Sequence, residues 1–189
     1  IPVIEALHDA MPVPISVDTR KPAVMRAAVA AGAGLINDVS ALQAPNAIGT
    51  AAELGVPVSL MHMQGLPESM QDNPDYRDVV AEVAGFLVAR AAVCVAAGID
   101  PARIILDPGF GFGKSLEHNL SLLNALPVFR ARFGLPLLAG LSRKSLLQAL
   151  TGRAVDDRLA GSLALATLAA DRGADIVRAH DVAATVDVV

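Results

Sequence analysis

Six short apolar runs, at residues 15–17, 34–36, 58–61, 104–106, 137–139 and 176–177, punctuate the chain, and each is followed by a segment of helical character. The runs are continuously apolar rather than alternating, which is how strands covered on both faces read. Repetition of this β/α kind requires parallel pairing with right-handed crossovers. Two architectures meet that requirement: a doubly wound open sheet and a barrel. The strand ends separate them. Asp18, Asn37 with Asp38, His62, Asp107, the SRKS loop at 142–145, and Arg178 with His180 put polar groups at all six ends. An open sheet concentrates such groups near one switch point, whereas a barrel presents them around one face. The predicted class is therefore α/β, a (β/α)8 barrel. A complete barrel has eight units in roughly 250 residues, so about six units are expected here. Val3, Ile4 and Leu7 already carry helical spacing, with no Met and no cap before them. This start predicts that two strands and their loops lie upstream, and that residues 1–189 form a single barrel domain.

Composition narrows the function. A hydrophobic content of 53% with 18% charged residues supports a large packed core. A net charge of -4 argues against a nucleic-acid surface. Cys94 is the only cysteine, which rules out an intrachain disulfide and suits a reducing cytoplasm; its heptad spacing with Val80 and Leu87 gives it a packing role. No uninterrupted apolar stretch of about 18 residues occurs and no signal peptide is recognisable, so no membrane partner is expected.

The stretch RIILDPGFGFGKS at 103–115 concentrates the chemistry. An apolar run ends in the Asp107 carboxylate and opens into a turn with Gly109, Gly111 and Gly113, followed by Lys114. Pro108 fixes its own φ, and Phe110 and Phe112 offer flat apolar surface to a planar ligand. A P-loop is excluded, because only three residues separate Gly109 from Gly113 where four are required. The dinucleotide fingerprint is excluded too, since these glycines alternate strictly.

Other strand ends supply complementary groups. Asp18, facing the same side as Ser16, can accept hydrogen bonds from a ring N–H; the competing role is a cap for the helix opening at Pro22. Asn37 offers donor and acceptor to a heterocycle edge, or serves as a turn residue. Arg178 and His180 share one face and suit phosphate or diphosphate, unless Asp175 or Asp181 neutralises them. Lys144 is one of only three lysines beside twelve arginines. His62 reads as a packed histidine, while His8 and His118 read as surface positions. The 63–75 segment reads either as a lid or as the entry to a helix.

Taken in order, SVDTRKP, GLINDVS, LMHMQG, DPGFGFGK, GLSRKS and RAHD make the chain closely resemble the dihydropteroate synthase family, the sulfonamide-inhibited enzymes of folate biosynthesis. The resemblance implies condensation of 4-aminobenzoate with 7,8-dihydropterin-6-ylmethyl diphosphate, giving dihydropteroate and diphosphate with Mg²⁺. It assigns Asp18, Asn37, Asp107, Met61, Phe112, Gly140 and Lys144 to the pterin, Arg178 and His180 to the diphosphate, and Ser145 to the aminobenzoate carboxylate. Lys144, Asp107, Arg178 and His180 become the expected catalytic set. The family's Mg²⁺-binding loop belongs to the upstream strands, so no metal ligand is expected in this chain, and a cytoplasmic homodimer is implied. The alternative enzyme, a pterin-binding methyltetrahydrofolate:corrinoid methyltransferase, would share the ring-binding Asp and Asn but has no need of SRKS or of the Arg178/His180 pair. A noncatalytic pterin-binding fragment is the remaining alternative.

Overall fold

The computed structural model describes residues 1–65, 70 and 72–189. The expected lid or helix entry at 63–75 therefore falls partly outside the described residues. Among the described residues, six strands alternate with helices: α1 (Pro2–Ala10), β1 (Ser16–Asp18), α2 (Pro22–Ala30), β2 (Leu35–Asp38), α3 (Ala47–Leu54), β3 (Val58–Met61), α4 (Val79–Ala96), β4 (Ile104–Asp107), α5 (Leu116–Phe133), β5 (Leu138–Ala139), α6 (Ser145–Thr151), α7 (Leu159–Asp171), β6 (Ile176–Val177) and α8 (Val182–Val186). β1 to β4 form one sheet in chain order, and β5 pairs with β6 in another. The pairings β1·β2, β2·β3 and β5·β6 are parallel, as the apolar runs require. This is the β/α succession of six units of a (β/α)8 barrel.

The chain divides into two compact units, Ile1–His62 with Phe86–Leu106, and Met63–Gly85 with Asp107–Val189. In the first unit, Ile36, Val58, Leu60, Ile104 and Leu106 are buried, as are Met25 and Ala28 of α2 and Ala47 and Ala51 of α3. Arg26 of α2 reaches α3 at Thr50 and Glu53. In the second unit, α7 packs against α6, α8 and β6, and α5 against α6 and α7. Buried Leu122, Leu126 and Phe129 line one stripe of α5.

Three elements depart from the sequence reading. α5 runs on to Phe133 with Pro127 inside it, past the point where a proline usually stops a helix. Pro127 removes one backbone donor, but stopping there would leave the apolar Phe129 uncovered. α6 was not anticipated, because seven residues give too few turns for periodicity to show. Although Glu82 and Arg90 interrupt its apolar sequence, α4 is long and apolar enough to cross a membrane by length and composition. Its buried positions Leu87, Ala91 and Cys94 nevertheless follow a helical stripe, and Arg90 donates to the Ala41 carbonyl through Nε at 3.0 Å and Nη2 at 2.7 Å. These contacts make it a packing helix.

Candidate active site

In the first unit, parallel register sets Asp18 beside Asn37 and Asn37 beside Ser59. Side chains of paired residues share a face, so the three form one polar row across β1, β2 and β3. The Asn37 amide donates from Nδ2 to Asp18 Oδ2 at 3.1 Å. The alternative capping role for Asp18 is not realised, since α2 has Lys21 at its cap without a side-chain bond. Met61 is buried two residues beyond Ser59 and so shares its face. Asp38, on the opposite face of β2, serves the scaffold: its carboxylate accepts from Ser40 N at 2.7 Å and Leu42 N at 3.1 Å. Burial pushes that carboxyl above its usual range, against the pull of these two bonds. His62 is 7% exposed and meets the Phe86 ring edge-on at 5.0 Å, the packed role expected of it.

The glycine loop and the anionic end of β4 lie in the second unit. Asp107 Oδ1 accepts from Gly109 N at 2.7 Å. Lys114 turns back under the loop, 4% exposed, and donates from Nζ to the Gly109 and Phe112 carbonyls at 3.0 Å each. Asn119 accepts from Gly111 N at 2.7 Å and donates to the Ser115 carbonyl at 2.7 Å. Tyr76 donates its hydroxyl proton to the Gly113 carbonyl at 2.9 Å, and its ring stands edge-on to His118 at 4.9 Å. His118 completes the cap of α5 with Ser115, each side chain accepting from the other residue's backbone N–H at 3.2 Å. His118 was expected at the surface; its ring is instead engaged between the cap and Tyr76. Phe110 is fully buried and belongs to the core rather than to a ligand surface, while Phe112 is half-buried.

Gly113 is held at φ +63°, where a Cβ would run into the Gln64 carbonyl oxygen and lie 3.0 Å from its Cβ. Gly113→Ala is expected to cost about 1–3 kcal/mol of unfolding free energy, from left-handed strain and forced displacement of neighbouring backbone. Urea denaturation measures it; a loss under about 0.5 kcal/mol would show that the loop shifts freely.

The SRKS loop carries the cations. Lys144 donates from Nζ to the Phe110 carbonyl, and the same ammonium lies 4.6 Å from the centre of the Phe112 ring. Arg143, at φ 57°, grips Asp181 bidentately at 3.0 and 2.5 Å. Arg158, 8% exposed, supports the loop by donating to the Arg143 carbonyl at 2.9 Å and to Gln148 at 2.9 Å. Gly140, Ser142, Lys144, Arg178 and His180 line a cavity of about 200 Å³. Ser142 Oγ meets His180 at its backbone N, 3.2 Å away, and at Nδ1, 3.1 Å away. Of the two carboxylates weighed as neutralising partners, Asp175 pairs with Arg130 at 2.7 Å, while Asp181 pairs with Arg143 and also feels the charge of His180. Ser145 is exposed at the first turn of α6.

Burial sets the charge state of this cluster. It pushes the Asp107 carboxyl up, opposed by Lys144, the Gly109 N–H, Lys114 and Arg178. It draws Lys114 down to about 7 and Lys144 down to about 8, the nearby Asp107 charge opposing both shifts. Among the described residues no group of three or more His, Cys, Asp or Glu side chains could hold a metal ion. The Mg²⁺ implied by the resemblance therefore has no such ligand set among them.

Parallel β/α units thus carry a carboxylate–amide row at the strand ends of the first unit, and the second unit holds a cationic cavity. Residues 1–180 match the family described as pterin binding enzymes, and the chain belongs to that family. A dihydropteroate synthase of Escherichia coli is 51% identical over 187 residues, covering 99% of this chain and 66% of that protein. The chain thus spans just under two thirds of that relative's length. The dihydropteroate synthase of Stenotrophomonas maltophilia, solved with active-site-bound imidazole, superposes with a TM-score of 0.96 at 55% identity, covering 99% of this chain and 71% of that one. That of Xanthomonas albilineans, in complex with 7,8-dihydropteroate, gives a TM-score of 0.93 at 55% identity, covering 99% and 68%.

Proposed function

We propose that this protein acts as a dihydropteroate synthase, joining 4-aminobenzoate to 7,8-dihydropterin-6-ylmethyl diphosphate. The carrying observation is the cavity in which the SRKS and RAHD motifs bring Lys144, Arg178 and His180 together. In the first unit, Asp18, Asn37 and Met61 are assigned to the pterin. In the second, Asp107, Phe112, Gly140 and Lys144 are assigned to the pterin, Arg178 and His180 to the diphosphate, and Ser145 to the aminobenzoate carboxylate. A cytoplasmic homodimer with no nucleic-acid or membrane partner completes the proposal.

The reaction is substitution at the exocyclic CH₂. The C–O bond to diphosphate breaks, the arylamine nitrogen forms the new C–N bond, and its surplus proton leaves to solvent. Negative charge grows on the departing diphosphate as positive charge spreads into the ring. Arg178, His180 and protonated Lys144 stabilise the first, and the Asp107 carboxylate offsets the second. Holding the weak amine in line supplies the rest. The test is an assay with both substrates and Mg²⁺: stoichiometric dihydropteroate and diphosphate are expected, and a pterin bound but never condensed would overturn the enzymatic reading in favour of a binding protein.

Lys144 gives the proposal a pH signature. An anion favours the protonated ammonium, so affinity for the diphosphate substrate is full below about pH 8 and falls as pH rises through it. Calorimetry between about pH 6.5 and pH 9.5 should show a decline approaching tenfold per unit at the alkaline end, where one proton is taken up on binding. Lys144→Arg should remove that limb, since guanidinium stays charged. A flat profile for the unchanged protein would refute the role.

A further inference from the structure

Among the described residues, two buried side-chain atoms have no hydrogen-bond partner: Asn37 Oδ1 and Ser59 Oγ. Asn37 and Ser59 are register partners on adjacent strands. Neighbouring strands lie about 4.8 Å apart and paired residues share a face, so the amide oxygen and the hydroxyl come from adjoining positions. Ser59 is fully buried, and the 7% exposure of Asn37 belongs to its other atoms. Neither atom is exposed to bulk solvent. An unmet buried polar group costs roughly 1–3 kcal/mol, so two side by side form a pair that a small rotation would relieve.

The orientation of the amide is already biased. Nδ2 donates to Asp18, which leaves Oδ1 as the acceptor awaiting a donor, and the Ser59 hydroxyl is a donor awaiting an acceptor. We propose that Ser59 is a positioning residue: when ligand binds, its hydroxyl donates to Asn37 Oδ1 and holds the amide with Nδ2 directed to Asp18 and to a hydrogen-bond acceptor on the ligand. The selected ligand edge is then a ring nitrogen or carbonyl rather than an N–H. This rests on the pterin reading above, a ring system that carries such acceptors. The hydroxyl contributes nothing in the ligand-free fold, because there it remains unpaired.

Ser59→Ala separates these roles. With pterin itself (2-amino-4-oxopteridine) as the calorimetric probe, affinity should fall roughly three- to tenfold, the loss of one hydrogen bond. Melting temperature should stay level or rise, because an unpartnered buried hydroxyl has gone. Ser59→Thr, which keeps the hydroxyl, should restore part of the affinity. In an Asn37→Ala background, Ser59→Ala should change affinity less than twofold, since the positioned amide is absent. Unchanged affinity in the single variant, a lowered melting temperature accompanying the loss, or full additivity with Asn37→Ala would each overturn the proposal. Absence of pterin binding by the unchanged chain would instead overturn the pterin reading, and the Ser59 role with it.

Discussion

Asp107→Asn is expected to lower the unfolding free energy by about 3 kcal/mol near pH 6, in the range found when one partner of a buried ion cluster is removed. Asp107 is 7% exposed and is the carboxylate whose field acts on both Lys114 and Lys144. Lys114 is 4% exposed beneath the glycine loop, its ammonium on two loop carbonyls. Without the carboxylate, an ammonium already drawn down to about 7 by burial loses its main favourable charge. Its folded-state pKa then drops further, while the unfolded value stays near 10.4. Over that interval the unfolded chain binds more protons than the folded one, so stability rises with pH. The variant should therefore recover part of its deficit at pH 9, and the double variant Asp107→Asn with Lys114→Met should lose less than the sum of the singles. Chemical denaturation at both pH values checks this. An equal deficit at pH 6 and pH 9 would show that lost geometry at Gly109, not charge, is responsible.

Arg178→Ala is the second large effect, and it falls on binding. The guanidinium lines the cavity of Lys144 and His180 and offers the forked donor geometry that phosphate oxygens accept. Losing a charge-assisted contact costs about 1.5–3 kcal/mol, or roughly ten- to 150-fold in affinity. That loss should appear with a diphosphate-bearing pterin and stay under about threefold with bare pterin. Equal losses for both ligands would mean that Arg178 supports the ring or the fold, and the anion assignment would fail.

The parallel β/α order and the polar strand ends were legible because strands covered on both faces leave continuous apolar runs and end in residues no core would choose. Asp107, Arg178 and His180 stood out by their place at strand ends, and Lys144 by following one in a chain with three lysines and twelve arginines. The supporting side chains did not. Lys114 sits in the same motif as Asp107, yet nothing in the spacing tells a lysine aimed at ligand from one folded back under its own loop. Arg90 and Arg158 act on carbonyls 49 and 15 residues away, a relation set by tertiary packing rather than local pattern. Asn119 and His118 left a fainter trace: Ser115 announces a cap, but the reciprocal position three residues on holds His where Glu or Gln is usual. Phe110 and Phe112 are two residues apart in a turn, where strict alternation fails, and only the structure separates the core ring from the half-buried one.

The most direct test of the account is calorimetric titration of the 189-residue chain with pterin and, separately, with a 6-substituted pterin carrying a phosphate or diphosphate. The account predicts one site for each, with the phosphorylated ligand bound at least tenfold tighter and that advantage abolished by Arg178→Ala. Equal affinity for the two ligands, or no binding of either, would contradict it.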